Sequence, residues 1–152
     1  DYVHMSVKIV QLKKADMAAV QDINAILVLQ LSYSKSAKPL RVKDLSVILK
    51  NKNFHMWVLR NGKKIIGMGS LVIYHAPMGL RSRIEDVAVD ENYRGRGFGE
   101  RITRKLIEVA RRLRVRDIEL SSRPGRVAAN ALWQKVGFQK KQTNVYSIKF
   151  TK

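Results

Sequence analysis

Three glycines at alternate positions, Gly95, Gly97 and Gly99, are threaded with Arg94 and Arg96 and separate two strongly patterned runs. Before them, Leu80 to Val89 reads as a strand ending in Val87-Ala88-Val89. After them, Ile102, Leu106, Val109, Ala110 and Leu113 recur at helical steps, with Arg101, Arg104, Lys105, Glu108, Arg111 and Arg112 on the wet face. A strand, a glycine turn and a new helix can aim several backbone N–H groups at one point, and the helix adds its positive dipole end. Without a Cβ, the backbone can come close to a guest. The fitting guest is a phosphate or pyrophosphate. The competing reading is a flexible basic loop or an RNA-binding Arg-Gly stretch. A dinucleotide fold is excluded by the Gly-x-Gly-x-Gly spacing, and a P-loop by the missing Gly-Lys-Ser/Thr ending.

The rest of the chain supplies a mixed sheet. Ser6 to Leu12 alternates as a short strand, and Met17, Val20, Ile23, Leu27 and Leu31 mark a helix over Ala15 to Leu31 with Asp16 near its cap. Ser32 to Lys38 is a loop ended by Pro39, and Val42 to Lys50 is a second helix. Phe54 to Arg60 and Lys64 to Tyr74 are strands around Asn61-Gly62, a hairpin signal. Ala76 to Gly79 turns the chain into the strand before the glycines. Arg116 to Leu120 is a strand and Gly125 to Val136 a helix stopped by Gly137. Phe138 and Val145 to Phe150 supply the last strands, with Tyr146, Ile148 and Phe150 on one face. The order β-α-α-β-β-β-α-β-α-β-β predicts an α/β fold with helices on both faces of a mixed sheet. With no repeat and no linker, residues 1–152 read as one domain, and Asp1 to His4 as an extraneous or unstructured lead before Met5.

Composition narrows the function. The absence of cysteine excludes disulfides, iron–sulfur clusters, thiolate zinc sites and a cysteine nucleophile, and points to the cytoplasm. No metal site is expected, because His4, His55 and His75 lack ligand-spaced partners. The longest apolar run, Ala25 to Leu29, falls far short of the roughly 18 residues of a membrane span, so no membrane partner is expected. Thirty Lys and Arg against twelve Asp and Glu give a formal charge of +18. That charge fits a phosphate-rich partner, such as nucleic acid, the ribosome, an anionic membrane surface or a phosphorylated ligand; it equally fits plain solubility. Base-stacking aromatics are sparse at 7%.

Arg94-Gly95-Arg96-Gly97-Phe98-Gly99 resembles the (Arg/Gln)-x-x-Gly-x-(Gly/Ala) signature of the GNAT superfamily of acetyl-CoA-dependent N-acetyltransferases. Ile84 to Asp90 resembles that family's fourth strand, and Asn130-Ala131-Leu132-Trp133-Gln134-Lys135-Val136-Gly137-Phe138 its second cofactor segment. The resemblance implies a mostly antiparallel sheet of six to seven strands with about four helices. It implies direct transfer of an acetyl group from acetyl-CoA to a primary amine. The backbone of Arg94, Gly95, Arg96, Gly97, Phe98 and Gly99 would hold the pyrophosphate. Val87, Ala88 and Val89 would pair with the pantetheine arm as an added strand. Asn130 would face the cofactor or serve as a helix-surface amide.

The same resemblance makes Glu85 the candidate base, with Val87 and Val89 on its face by the two-residue period and Asp86 opposite as a structural carboxylate. The plainer reading of Glu85 is a surface partner of Arg83. The family's usual Tyr is Trp133 here, and indole has no usable acidic proton. Tyr146 is the candidate substitute acid, against a core role. The acceptor is a small-molecule or protein amine, to be housed by Ser32 to Asn53 and the last strands. An amino-sugar phosphate or other anionic amine suits the charge, and polycations do not. A basic nucleic-acid-binding or ribosome-binding module is the reading from another class. Monomer and homodimer are both open.

Overall fold

A five-stranded sheet with order β1-β2-β3-β4-β5 organises the first part of the chain. The computed structural model describes residues 6–32 and 38–150. The expected lead at 1–4 and the core of the loop after the first helix lie outside these residues. The chain divides into two compact units, Asp1–Ser121 and Ser122–Lys152.

In the first unit the order is β1 (Val7–Gln11), α1 (Met17–Ser32), α2 (Val42–Lys50), β2 (Phe54–Asn61), β3 (Lys64–Ala76), β4 (Gly79–Val89), a 3₁₀ turn (Glu91–Tyr93), α3 (Phe98–Arg112) and β5 (Ile118–Glu119). The pairings among β1 to β4 are antiparallel, and β4 to β5 is parallel. The mixed α/β architecture is the one expected, with five strands in place of six or seven. Asp16 caps α1, its Oδ1 accepting from the Ala19 N–H at 2.8 Å. Met17, expected inward, is exposed because it occupies the first position of the helix, ahead of the buried stripe Ala19, Val20, Ile23 and Ile26.

The β2–β3 turn corrects the hairpin reading. Asn61 pairs with Lys64, so Gly62 and Lys63 are the central residues, and only Gly62 takes a positive φ, +60°. That is the requirement of a type II′ turn, with Gly in the first central position.

One core lies beneath α1 and α2, where Val20, Ile23, Ile26 and Leu45 meet Met56, Val58, Ile65 and Met68. Asp22 fixes α1 to the sheet by accepting the Ile65 N–H at 2.9 Å. The opposite face of the sheet carries α3. Two strand glycines let that helix approach: a Cβ on Gly69 would sit 2.7 Å from Ile102 Cγ2, and one on Gly67 would sit 3.0 Å from Ile102 Cδ1. Ile102, Thr103 and Leu106 are fully buried there. Leu113, expected in the stripe, is partly exposed, because α3 ends at Arg112 and Arg114 turns left-handed at φ +56°.

In the second unit α4 spans Val127–Lys135. Its end is closed as expected at Gly137, φ +108°: the Gly137 N–H donates to Gln134 O at 3.1 Å and the Phe138 N–H to Trp133 O at 2.9 Å. This is the Schellman pattern, and the edge-on contact of Trp133 with Phe138 is its usual apolar partner. The strands expected at Phe138 and Val145 to Phe150 are not formed among the described residues. Alternation alone makes no strand without a ladder partner, and Val145, Tyr146, Ile148 and Phe150 are exposed.

Candidate active site

The strand before the glycines is irregular where it matters. Along β4, Glu85 faces Ser70 and Ala88 faces Met68, so three steps on β4 match two on β3. The extra residue is a β-bulge, and within it Asp86 takes φ +53°, a left-handed backbone uncommon for a residue with a side chain. On its other edge, β4 pairs with β5 only at Ser82–Ile118 and Arg83–Glu119. Among the described residues, no strand covers that edge from Ile84 to Val89.

The bulge resets the faces of the strand. Val87 points to Gly69 on the α3 side, while Ala88 packs on the core beneath α1 and α2. The expected alternation of Glu85 with Val87 and Val89 is broken, because Glu85 pairs with the cavity-lining Ser70, while Asp86 does lie opposite Val87. Glu85 is exposed and paired with Arg83, Oε1 to Nε at 3.3 Å. Arg83 also donates to Ser121 Oγ at 3.1 Å. Asp86 lines a cavity on the α1/α2 side. The trace of this was in the sequence: Ile84 and Val87 stand three apart with two carboxylates between, where a regular strand would space them by two.

The cavity holds about 670 Å³ and is walled by Ile23, Leu27, Leu45, Phe54, Met56 and Met68. Its polar groups are largely engaged. Asn24 Nδ2 donates to Leu40 O and Asn24 Oδ1 accepts the Leu40 N–H, both at 2.9 Å, which ties α1 to the segment before α2. Asp44 accepts from Arg41 Nε at 2.7 Å, from Arg41 NH2 at 3.0 Å and from the Arg41 N–H at 3.2 Å. The hydrogen-bonded Arg41 side chain holds the Asp44 carboxyl below its ordinary range. Among the described residues Asp86 has no hydrogen bond and no ion pair, contrary to the structural role expected for it. Its side chain is open to the cavity but crowded by protein. That loss of hydration, with the neighbouring Glu85 charge second, pushes its carboxyl up. The α1 contribution, Ile23, Asn24 and Leu27, was missed because their helical spacing is also that of plain core residues.

The glycine run follows directly. Asp90 Oδ1 accepts the Asn92 N–H at 2.9 Å, and the Asp90 N–H donates to Ile66 O at 2.9 Å, which anchors the 3₁₀ turn to β3. Arg94 Nε donates to Val89 O at 3.1 Å, and the Arg96 guanidinium stands 5.6 Å from the Tyr93 ring centroid. Gly95 and Gly97 have φ +75° and +80°, and a Cβ on either would meet nothing within 4 Å. Gly97 is the N-cap of α3 and supplies no side-chain cap. The first-turn N–H groups from Phe98 onward thus lack helical acceptors and open on the same side as the dipole.

Val87 to Val89, the glycine run and Glu85 are brought together in the first unit. Asn130 and Tyr146 belong to the second. Both Asn130 amide hydrogen bonds are spent locally, to Arg123 O at 2.8 Å and Arg126 O at 2.9 Å, securing the start of α4. Tyr146 is 87% exposed, not core, and its hydroxyl accepts from Asn144 Nδ2 at 3.3 Å. Among the described residues, no three His, Cys, Asp or Glu side chains group as metal ligands, and no helix is long and apolar enough to cross a membrane.

The sequence model of the Acetyltransferase (GNAT) family matches residues 20–138. N-acetyltransferase 8B of Rattus norvegicus is 27% identical over 94 residues, 60% of this chain and 42% of the relative. The matched part therefore spans less than half the length of that relative. A solved transcriptional regulator from Bacillus halodurans C-125 superposes with TM-score 0.76 at 26% identity, covering 95% of this chain and 99% of that one. An aminoglycoside acetyltransferase from an uncultured soil metagenomic sample, solved with trehalose, shares the fold with TM-score 0.81 at 16% identity, covering 96% and 97%. The chain belongs to the GNAT family of acetyltransferases.

Proposed function

We propose that the chain is an acetyl-CoA-dependent N-acetyltransferase, and that its two units act as one catalytic domain. The family match runs across both units. The observation that carries the reading is the strand-free edge of β4, which leads from the bulge at Asp86 into the open glycine run. The N–H and C=O groups of Val87, Ala88 and Val89 suit a pantetheine arm added as a strand. The N–H groups of Arg94 to Gly99, with two glycines whose missing Cβ leaves the approach clear, suit a pyrophosphate. Acetyl-CoA would supply an activated thioester.

An alkylammonium has a pKa of about 10.4 and must lose a proton before it can attack. The carboxylates at the bulge are the bases at hand: Glu85, held by Arg83, and Asp86, without a partner among the described residues. A bulge N–H near Val89 would stabilise the developing oxyanion. Trp133 has no proton to give the leaving sulfur, which would take the second amine proton directly or through water or Tyr146. The nucleic-acid reading loses support at α3, whose basic face is partly neutralised by Glu100–Arg104 at 2.9 Å and by Glu108 with Arg112 and Lys105. Acetyl-CoA should raise the melting temperature by mass action. No shift, with a shift instead on adding an oligonucleotide, would reverse the assignment.

A further inference from the structure

Resting on the acetyltransferase reading, we propose that the acceptor is a small primary amine with an apolar body. The body lies in the cavity beneath α1 and α2, and its ammonium meets Asp86. The cavity volume of about 670 Å³ is that of a small-ligand site. Most of its wall is Ile23, Leu27, Leu45, Phe54, Met56 and Met68, side chains that offer a sugar's hydroxyls no partner. Of the polar residues around the cavity, Asn24 is held by the Leu40 backbone and Asp44 by Arg41, Lys38 is exposed, and Ser70 adds one small hydroxyl. Asp86 lines the cavity with no hydrogen bond or ion pair among the described residues, on a backbone that the bulge turns toward the cavity side. A mainly apolar chamber in which Asp86 is the carboxylate without a partner among the described residues selects a monocation on a hydrocarbon frame. The carboxylate also sits at the head of the Val87 to Val89 edge, where the acyl group would arrive.

The net charge of +18 does not oppose this choice. Screening over about 8 Å at physiological salt leaves a single ammonium governed by the nearest carboxylate, whereas a polycation meets the whole basic surface. In the transfer, the ammonium gives one proton to Asp86 and its nitrogen bonds to the acyl carbon. The C–S bond breaks, and sulfur leaves with the electron pair and takes the second amine proton. Asp86 then releases its proton to solvent.

Thiol release is measured with 2-phenylethylamine, hexylamine, glucosamine 6-phosphate and spermidine, beside a separate titration of acetyl-CoA. We expect kcat/KM for the two apolar amines to exceed the others by about tenfold or more, since a few buried methylenes are worth that much. Asp86→Asn keeps the left-handed backbone, which Asn tolerates, and should lower kcat/KM by about 100-fold with acetyl-CoA affinity intact. Asp86→Gly should do the same, and Leu27→Gln should raise KM for both apolar amines. Preference for glucosamine 6-phosphate or spermidine, no turnover of any apolar amine, or a wild-type rate in Asp86→Asn would overturn the inference and leave the acetyltransferase reading standing. Failure to bind acetyl-CoA would remove that reading itself, and the inference with it.

Discussion

Gly97 allows the cofactor loop to be tested against a matched control. Gly62 and Gly97 share a left-handed backbone, φ +60° and +80°, and a Cβ on either would touch nothing within 4 Å. Alanine at either site therefore costs only the backbone term, about 1–2 kcal/mol for a left-handed residue with a Cβ. Gly62 lies in the β2–β3 turn, and Gly97 caps α3. Urea unfolding should show similar losses of midpoint for Gly62→Ala and Gly97→Ala with unchanged slope. Calorimetric titration of coenzyme A should then separate them. Gly62→Ala should bind as the wild type does. Gly97→Ala should lose about tenfold or more, because its methyl enters the approach of the phosphates and its backbone leaves the orientation that aims the N–H groups. Equal coenzyme affinity in the two variants would refute the placement of the pyrophosphate at this loop.

Gly69→Ala should destabilise by about 1–3 kcal/mol in urea, since its Cβ would lie 2.7 Å from Ile102, 3.1 Å from Leu106 and 3.2 Å from Val87; a neutral result would mean α3 is not seated as described. Asp86→Asn should raise the melting temperature at neutral pH while it lowers activity. The folded state holds the Asp86 proton more tightly than the unfolded chain does, so its ionisation costs stability above the raised pKa. That penalty fades as pH falls through the raised value to the ordinary carboxylate range, and the two proteins should converge there; a constant gap at all pH would deny the desolvated carboxylate. The pH profile of kcat/KM should rise to a plateau, because Trp133 carries no acid; a descending limb that vanishes in Tyr146→Phe would give Tyr146 that role.

The segments whose pattern is set by their own residues were legible. Asp16 before α1, the stripe on α3 from Ile102 to Ala110 and Gly137 after α4 each act locally, and the structure has each in its expected role. The glycine run was legible as well, because positive φ at Gly95 and Gly97 is a demand that few residues meet. What escaped depends on partners distant in sequence. The bulge at Asp86 exists only against β3, so period-two reasoning put Glu85 on the face of Val87, whereas its ladder partner Ser70 lines the cavity on the opposite side. The cavity is assembled from α1, α2 and three strands, and its α1 residues carry the same spacing as core. The last apolar alternation, Val145 to Phe150, had strand character in sequence and finds no ladder among the described residues.

The most direct test of acetyl-CoA use at this edge is a crystal structure grown with coenzyme A. The expected density has the pantetheine amides hydrogen-bonded to the backbone of Val87 to Val89 and the pyrophosphate within reach of the N–H groups of Arg94 to Gly99. Coenzyme A bound elsewhere, with the β4 edge and the glycine run free, would contradict it.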